Sequence, residues 1–245
     1  MVLDRLIYEV RLRWGTILLT PCLIVAVAFI AFLLHLFHGD PSRLCLSALE
    51  MLLPPAVGGI IASIITQEPA LELQLSMPRR YQQTVLLRIF LVLINSATLA
   101  FSFLEILLAC KLLIMPSFTR SWPASLQFFL PQLIWLAPLL WFAMLALCLA
   151  LFTRSMAACG TLLGIVWLID FASSGFIAEN AWLRPFLLFP TFMYYPLFPQ
   201  ISRSNFILYW LFTRIDVFAS ALVLFLPGCL LLRNTEGILQ AISED

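Results

Sequence analysis

The chain has 245 residues, of which 62% are hydrophobic and 11% charged, whereas water-soluble domains are about one quarter charged. With a mean hydropathy of +1.02, most of it must be solvated by lipid rather than water. The net charge of +1, with no run of Lys or Arg forming a basic face, argues against a nucleic-acid partner. A span takes about 20 apolar residues, so the length predicts an all-α integral membrane protein, one transmembrane domain over 1–245 with about six transmembrane helices.

At the N-terminus, Leu3, Leu6, Ile7, Val10 and Trp14 fall at helical spacing opposite Asp4, Arg5, Arg11 and Arg13. This predicts an amphipathic elbow helix over 1–14 lying on the membrane surface. No small-residue cleavage site follows, so the segment is expected to be retained rather than removed as a signal peptide. The first span is expected over Thr16 to Phe37, ending at His38-Gly39-Asp40-Pro41. The second covers Leu46 to Thr66 and carries Pro54-Pro55 and Gly58-Gly59, residues tolerated in a span where neighbouring helices pack closely. A kinked helix inside the bundle, and a candidate mobile element, is the expectation.

A third span is predicted from Thr84 to Met115, a short polar connection from Pro116 to Gln127, and a fourth span from Phe128 to Phe152, interrupted by Pro131 and Pro138. Thr153, Arg154 and Ser155 then make a minimal turn into a fifth span, Met156 to Phe176, so these two spans must be antiparallel neighbours. From Ile177 to Phe206 the chain stays apolar but contains Pro185, Pro190, Pro196 and Pro199 and many aromatics. No straight span holds that many prolines, and Trp and Tyr favour the lipid–water boundary. A re-entrant or interfacial hairpin over 177–206 is predicted, followed by the last span, Tyr209 to Leu232, and a short polar tail.

Counting basic residues on alternate sides places Arg5, Arg11, Arg13, Arg79, Arg80, Arg88, Arg154 and Arg233 on one side. Arg43, Lys111, Arg120, Arg184, Arg203 and Arg214 fall on the other. By the positive-inside rule both termini and the 67–83 connection are expected in the cytoplasm of a multi-pass protein of the cell membrane.

The connection Gln67 to Gln83 is longer than two neighbouring spans need. Leu71, Leu73, Leu75 and Met77 intermingle with Glu68, Glu72, Arg79 and Arg80, bounded by Pro78. That pattern fits a short amphipathic helix at the cytoplasmic face, either a surface helix without a partner or a docking element. The run Glu68-Pro-Ala-Leu-Glu72-Leu-Gln-Leu-Ser76-Met-Pro78 resembles the pattern E-x-x-x-G-T-x-E-x-L-L-x-x-P of permeases of the ABC-2 type, the membrane subunits of ABC exporters. Pro69 and Ala70 stand nearby where the family has a Gly-Thr pair. The elbow helix, six spans, minimal turn and broken hairpin also resemble that family's layout.

The resemblance implies that 67–83 is a coupling helix seated on a separate ATPase subunit through Glu68, Glu72, Leu73, Leu75, Met77, Arg79 and Arg80. Arg154, in the Phe152 to Ser155 turn, would make a smaller second contact. It further implies a second permease copy or related permease, membrane lipids around both, and the bacterial plasma (inner) membrane as location. The chain has no GxxxxGK[ST] phosphate loop, so it is expected to be a transport subunit rather than an enzyme, with ATP and Mg held by the partner. The cargo is unassigned; a lipid-linked molecule, a peptide and an amphiphilic drug all fit.

Ionisable groups within spans cost roughly 2.5 to 3.5 kcal/mol at the centre on insertion scales and are functional candidates by default. Glu105 in the third span and Asp170 in the fifth are candidates to line the translocation path or bind a cationic group of the cargo. The alternative is structural pairing with a neighbour such as Lys111 or Arg214. Asp216 is expected to pair with Arg214 near the start of the last span. His35 and His38, with Asp40 close by, have an allowed ligand spacing but lack a third convincing ligand. Cys22, Cys45, Cys110, Cys148, Cys159 and Cys229 show no CxxC spacing and read as small hydrophobes, so no metal site is expected. An intramembrane enzyme and a stand-alone secondary carrier are the competing classes; the first lacks a convergent catalytic set and the second an internal repeat.

Overall fold

A computed structural model describes residues 18–66 and 81–244, and among them every regular element is helical. Six helices are long and apolar enough to cross a membrane. They are α1 (Leu19–Leu36), α2 (Ser42–Thr66), α3 (Tyr81–Ala109), α4 (Ala124–Thr153), α5 (Met156–Glu179) and, after a short α6 (Pro190–Tyr194), α7 (Arg203–Arg233). The elbow helix expected over 1–14, and residues 67–80 of the expected coupling helix, lie outside the described residues.

Two boundaries differ from the sequence reading in ways that matter. The last span begins at Arg203, not near Tyr209, and its helix continues through the polar tail to Glu244. Arg214 therefore lies well inside the helix. The fifth helix runs on to Glu179, and 3-10 turns at Ala181–Phe186 and Phe198–Gln200 flank α6 in the proline-rich stretch. The prolines there break helix continuity without extending the chain into a single span.

α2 and α4 make up the centre: 72% and 61% of their apolar windows are buried, against 17% for α1 and for α5. α4 packs against α2 on one side and against α7 on another. Small residues permit the approach, since lipid tails are as apolar as the helices and close van der Waals packing must hold the bundle. Ala143, Ala146 and Ala150 are buried on α4. A Cβ on Gly58 of α2 would lie 3.3 Å from the Phe142 carbonyl, and one on Gly228 of α7 would lie 2.8 Å from Leu147 Cδ2. At the periphery, the hydroxyls of Thr20 on α1 and Ser96 on α3 meet in a buried contact of 3.4 Å.

α2 carries the feature that positions the site. Just before Pro54-Pro55 the helix widens into a π turn, Ala48–Leu52, in which the Leu53 N–H donates to the Ala48 carbonyl. Proline cannot donate to the carbonyl four residues back, so Pro55 leaves that of Met51 without its helical partner. The indole N–H of Trp167 on α5 donates to the Met51 carbonyl at 2.9 Å. A neighbouring helix thus re-satisfies the broken ladder, as an apolar medium requires.

The connections sort by bundle end. Tyr195 donates to the Asp40 carboxylate at 2.6 Å, and Phe118 and Trp122, between α3 and α4, pack edge-on against Phe206 at the start of α7. At the opposite end α4 and α5 are joined by Arg154 and Ser155, and the two helices pack together as expected. Arg154 takes a left-handed conformation (φ 51°) and donates its N–H to the Ala150 carbonyl at 2.9 Å. Ser155 caps α5 by accepting the Ala158 N–H. An αL residue closing one helix and a serine opening the next make a turn this short possible.

Candidate functional site

A buried polar network joins α2, α5 and α7 to the segment between α5 and α7. Its first member is Glu50, in the π turn of α2 and fully buried; π turns are rare and concentrate at functional sites. The Glu50 carboxylate accepts the backbone N–H of Thr191 at 2.9 Å and that of Phe192 at 2.6 Å. These lie in the first turn of α6, where N–H groups have no intrahelical acceptor. Its ionic partner is Arg214 of α7, also fully buried.

Arg214 does more than neutralise Glu50. It also donates to the Thr191 hydroxyl and to the Leu188 carbonyl, each at 2.9 Å. Its guanidinium lies 5.8 Å from the ring centroid of Trp210, one helical turn earlier, and the Trp210 indole N–H donates to the Thr191 hydroxyl at 2.8 Å. Trp210 itself sits in a second π turn, Phe206–Leu211. Two widened turns on two helices thus bring the acid and the aromatic partner of the base to one place.

The third helix enters through Leu188. Its N–H donates to Asp170 Oδ1 at 3.4 Å while its carbonyl accepts from Arg214, so the backbone of one residue bridges α5 and α7. Burying two charges costs several kcal/mol per ion unless they pair and their remaining donors and acceptors are filled. Glu50 and Arg214 nearly meet that condition; among the described residues only Arg214 Nε, Asp170 Oδ2 and Trp141 Nε1 are buried side-chain atoms without a hydrogen-bond partner. Asp170 and Trp141 both line an apolar cavity of about 750 Å³ between α4, α5, α7 and the turn Ala181–Phe186.

Glu105 and Asp170 occupy separate places. Glu105 is half-buried on α3 and accepts from the Gln132 side chain of α4 at 2.9 Å, whose oxygen in turn accepts from Trp135 at 2.8 Å. Its neighbour is therefore an amide rather than Lys111, which is exposed. Asp170 meets Arg214 only through the Leu188 backbone. The expected Asp216–Arg214 pair is replaced by Glu50–Arg214, because the early start of α7 carries Arg214 into the bundle. Asp40, beside His35 and His38, accepts from the Ser42 N–H and from Tyr195, and no group of three metal ligands occurs among the described residues.

Arg154 is exposed at the opposite end of the bundle, beside Phe152, which is 79% exposed. The remaining coupling candidates, Glu68, Glu72, Leu73, Leu75, Met77, Arg79 and Arg80, lie outside the described residues. Glu50 is the residue that sequence reasoning passed over. A lone acid in an otherwise apolar span is itself the signal, by the same cost that singled out Glu105 and Asp170. No protein family model, curated protein or solved structure matches the chain.

Proposed function

We propose that the chain is the transmembrane permease of an ABC exporter of the ABC-2 type, working as two membrane halves driven by separate ATPase subunits. The observation that carries this reading is the amphipathic run Glu68 to Arg80, placed between the second and third of six spans. The two-residue turn between α4 and α5, with exposed Phe152 and Arg154, supplies a second contact at the end of the bundle to which α2 also descends. An apolar ridge and flanking charges are what a docking helix needs to be held and oriented.

In this reading the buried network is the relay. The coupling segment begins where α2 ends, at Thr66, and Glu50 lies on the same helix about 24 Å higher at 1.5 Å per residue. Displacement of the segment by an ATPase would move α2 as a unit and pull Glu50 against Thr191, Phe192 and Arg214. The segment between α5 and α7, placed toward the outer face by the positive-inside assignment, would then shift with the nucleotide state. Cargo would pass at the interface between two such halves.

The test starts from the neighbouring reading frames, one of which is expected to encode an ATPase with a phosphate loop, and proceeds to reconstitution of this chain with that subunit. Glu72→Arg, or reversal of charge at Arg79 and Arg80, is expected to leave the bundle folded, weaken ATPase binding and abolish transport. Wild-type binding and transport in these variants would overturn the assignment.

A further inference from the structure

We infer that the cavity between α4, α5, α7 and the turn Ala181–Phe186 is a binding site for an amphiphilic amine, with Asp170 receiving its ammonium group. The cavity measures about 750 Å³, within the size range of small-molecule sites, and is walled almost wholly by apolar side chains, among them Phe186, Leu188 and Val223. Ile169, Phe176 and Val223 on its rim are 58%, 62% and 65% exposed, so in a bilayer it opens sideways to the acyl-chain region. An occupant can enter from the membrane.

The head is specified by two buried atoms of lining residues, which a side-chain movement must bring to the cavity surface. Asp170 is 4% exposed, yet only Oδ1 has a partner, the Leu188 N–H at 3.4 Å, and Oδ2 has none among the described residues. The neighbouring charges offer it no relief, because Arg214 is matched by Glu50. A buried acid in an apolar wall requires a donor, and a cation supplies both donor and charge. The second atom is Trp141 Nε1, in a residue also 4% exposed, a donor without an acceptor. An oxygen next to the amine would fill it. A neutral alcohol would offer an Asp170 carboxylate no counter-charge, and a carboxylate would place a second acidic group against the same wall.

This site needs no ATPase and no second permease, so its failure and that of the exporter reading are separate results. The full chain, purified in detergent, is titrated with radiolabelled 2-(dodecylamino)ethanol, with dodecanol and dodecanoate as competitors. Saturable binding of the amine is expected, preferred over both competitors by about tenfold or more, as a charge-assisted hydrogen bond is worth. Asp170→Asn should abolish that preference, and Val223→Trp, at the lipid-facing rim, should block entry while leaving the buried network intact. Equal affinity for the three head groups would mean a site for bilayer chains alone and would overturn the inference. So would undiminished amine binding in Val223→Trp, which decides the matter even where Asp170→Asn does not fold.

Discussion

Glu50 and Arg214, separated by 164 positions in sequence, form an ion pair in which both side chains are completely buried. The pair is the point at which α2, α7 and the first turn of α6 meet, since the same carboxylate accepts the N–H groups of Thr191 and Phe192. Displacement of α2 along its axis would act on all three contacts together. The network therefore ties the segment between α5 and α7 to both α2 and α7.

Glu50→Leu is expected to leave the Arg214 charge buried without a counterion and to destabilise the bundle by about 3–5 kcal/mol, while Glu50→Leu combined with Arg214→Leu costs much less than the sum of the single changes. Thermal unfolding of the four proteins in detergent measures this. Strict additivity would mean that the two side chains do not interact.

The fold was legible where it depends on span length and proline placement: six spans, the minimal turn at Arg154, and the interrupted stretch after α5 all follow from apolar runs and breakers. The network was only half legible. Asp170 and Arg214 stand out as charges in apolar sequence, but their linkage through the Leu188 backbone depends on where a non-helical segment folds back, which no periodicity encodes. Glu50 pairs with Arg214 because Pro54-Pro55 and the π turn rotate its side chain toward α7. A straight-helix reading of α2 does not contain that rotation.

The Trp167 indole takes the place of the N–H that Pro55 lacks. Trp167→Phe keeps an aromatic ring beside Phe171 and removes the donor to the Met51 carbonyl together with one ring of the indole. A loss of about 1–3 kcal/mol is expected, the cost of leaving a buried acceptor unsatisfied. Pro55→Ala should restore a helical donor and recover part of this loss in the double variant, as read by chemical denaturation; no recovery would show that the Met51 carbonyl does not need the indole.

The adjacent glycines of α2 should respond in opposite directions. A Cβ at Gly58 meets the Phe142 carbonyl at 3.3 Å and Ala146 Cβ at 3.5 Å, whereas one at Gly59 meets nothing within 4 Å. Gly59→Ala is expected to stabilise the helix by roughly 0.5–1 kcal/mol through lost unfolded-state freedom. Gly58→Val would push α2 off α4 and cost about 1–3 kcal/mol. Melting temperatures of the two variants moving in the same direction would contradict the packing of α2 on α4.

The contact between Tyr195 and Asp40, which closes the far end of the bundle, has a defined pH window. Hydrogen bonds from Ser42 and then Tyr195 hold the Asp40 carboxyl below the usual carboxylate range, while burial and then Asp40 push the Tyr195 phenol above its ordinary value. The carboxylate's contribution is present above the unfolded Asp value of about 3.9 and is lost as pH falls through the lower folded value. For the phenol the protonated form is favoured, so its contribution is present below the unfolded Tyr value of about 10 and is lost as pH rises through the higher folded value. Spectrophotometric titration of tyrosinate absorbance in wild type minus Tyr195→Phe isolates this phenol. Its midpoint is expected above 10, and Asp40→Asn should lower it by removing the negative charge that opposes ionisation. A difference spectrum centred at or below the ordinary tyrosine value would show that Tyr195 does not donate to Asp40.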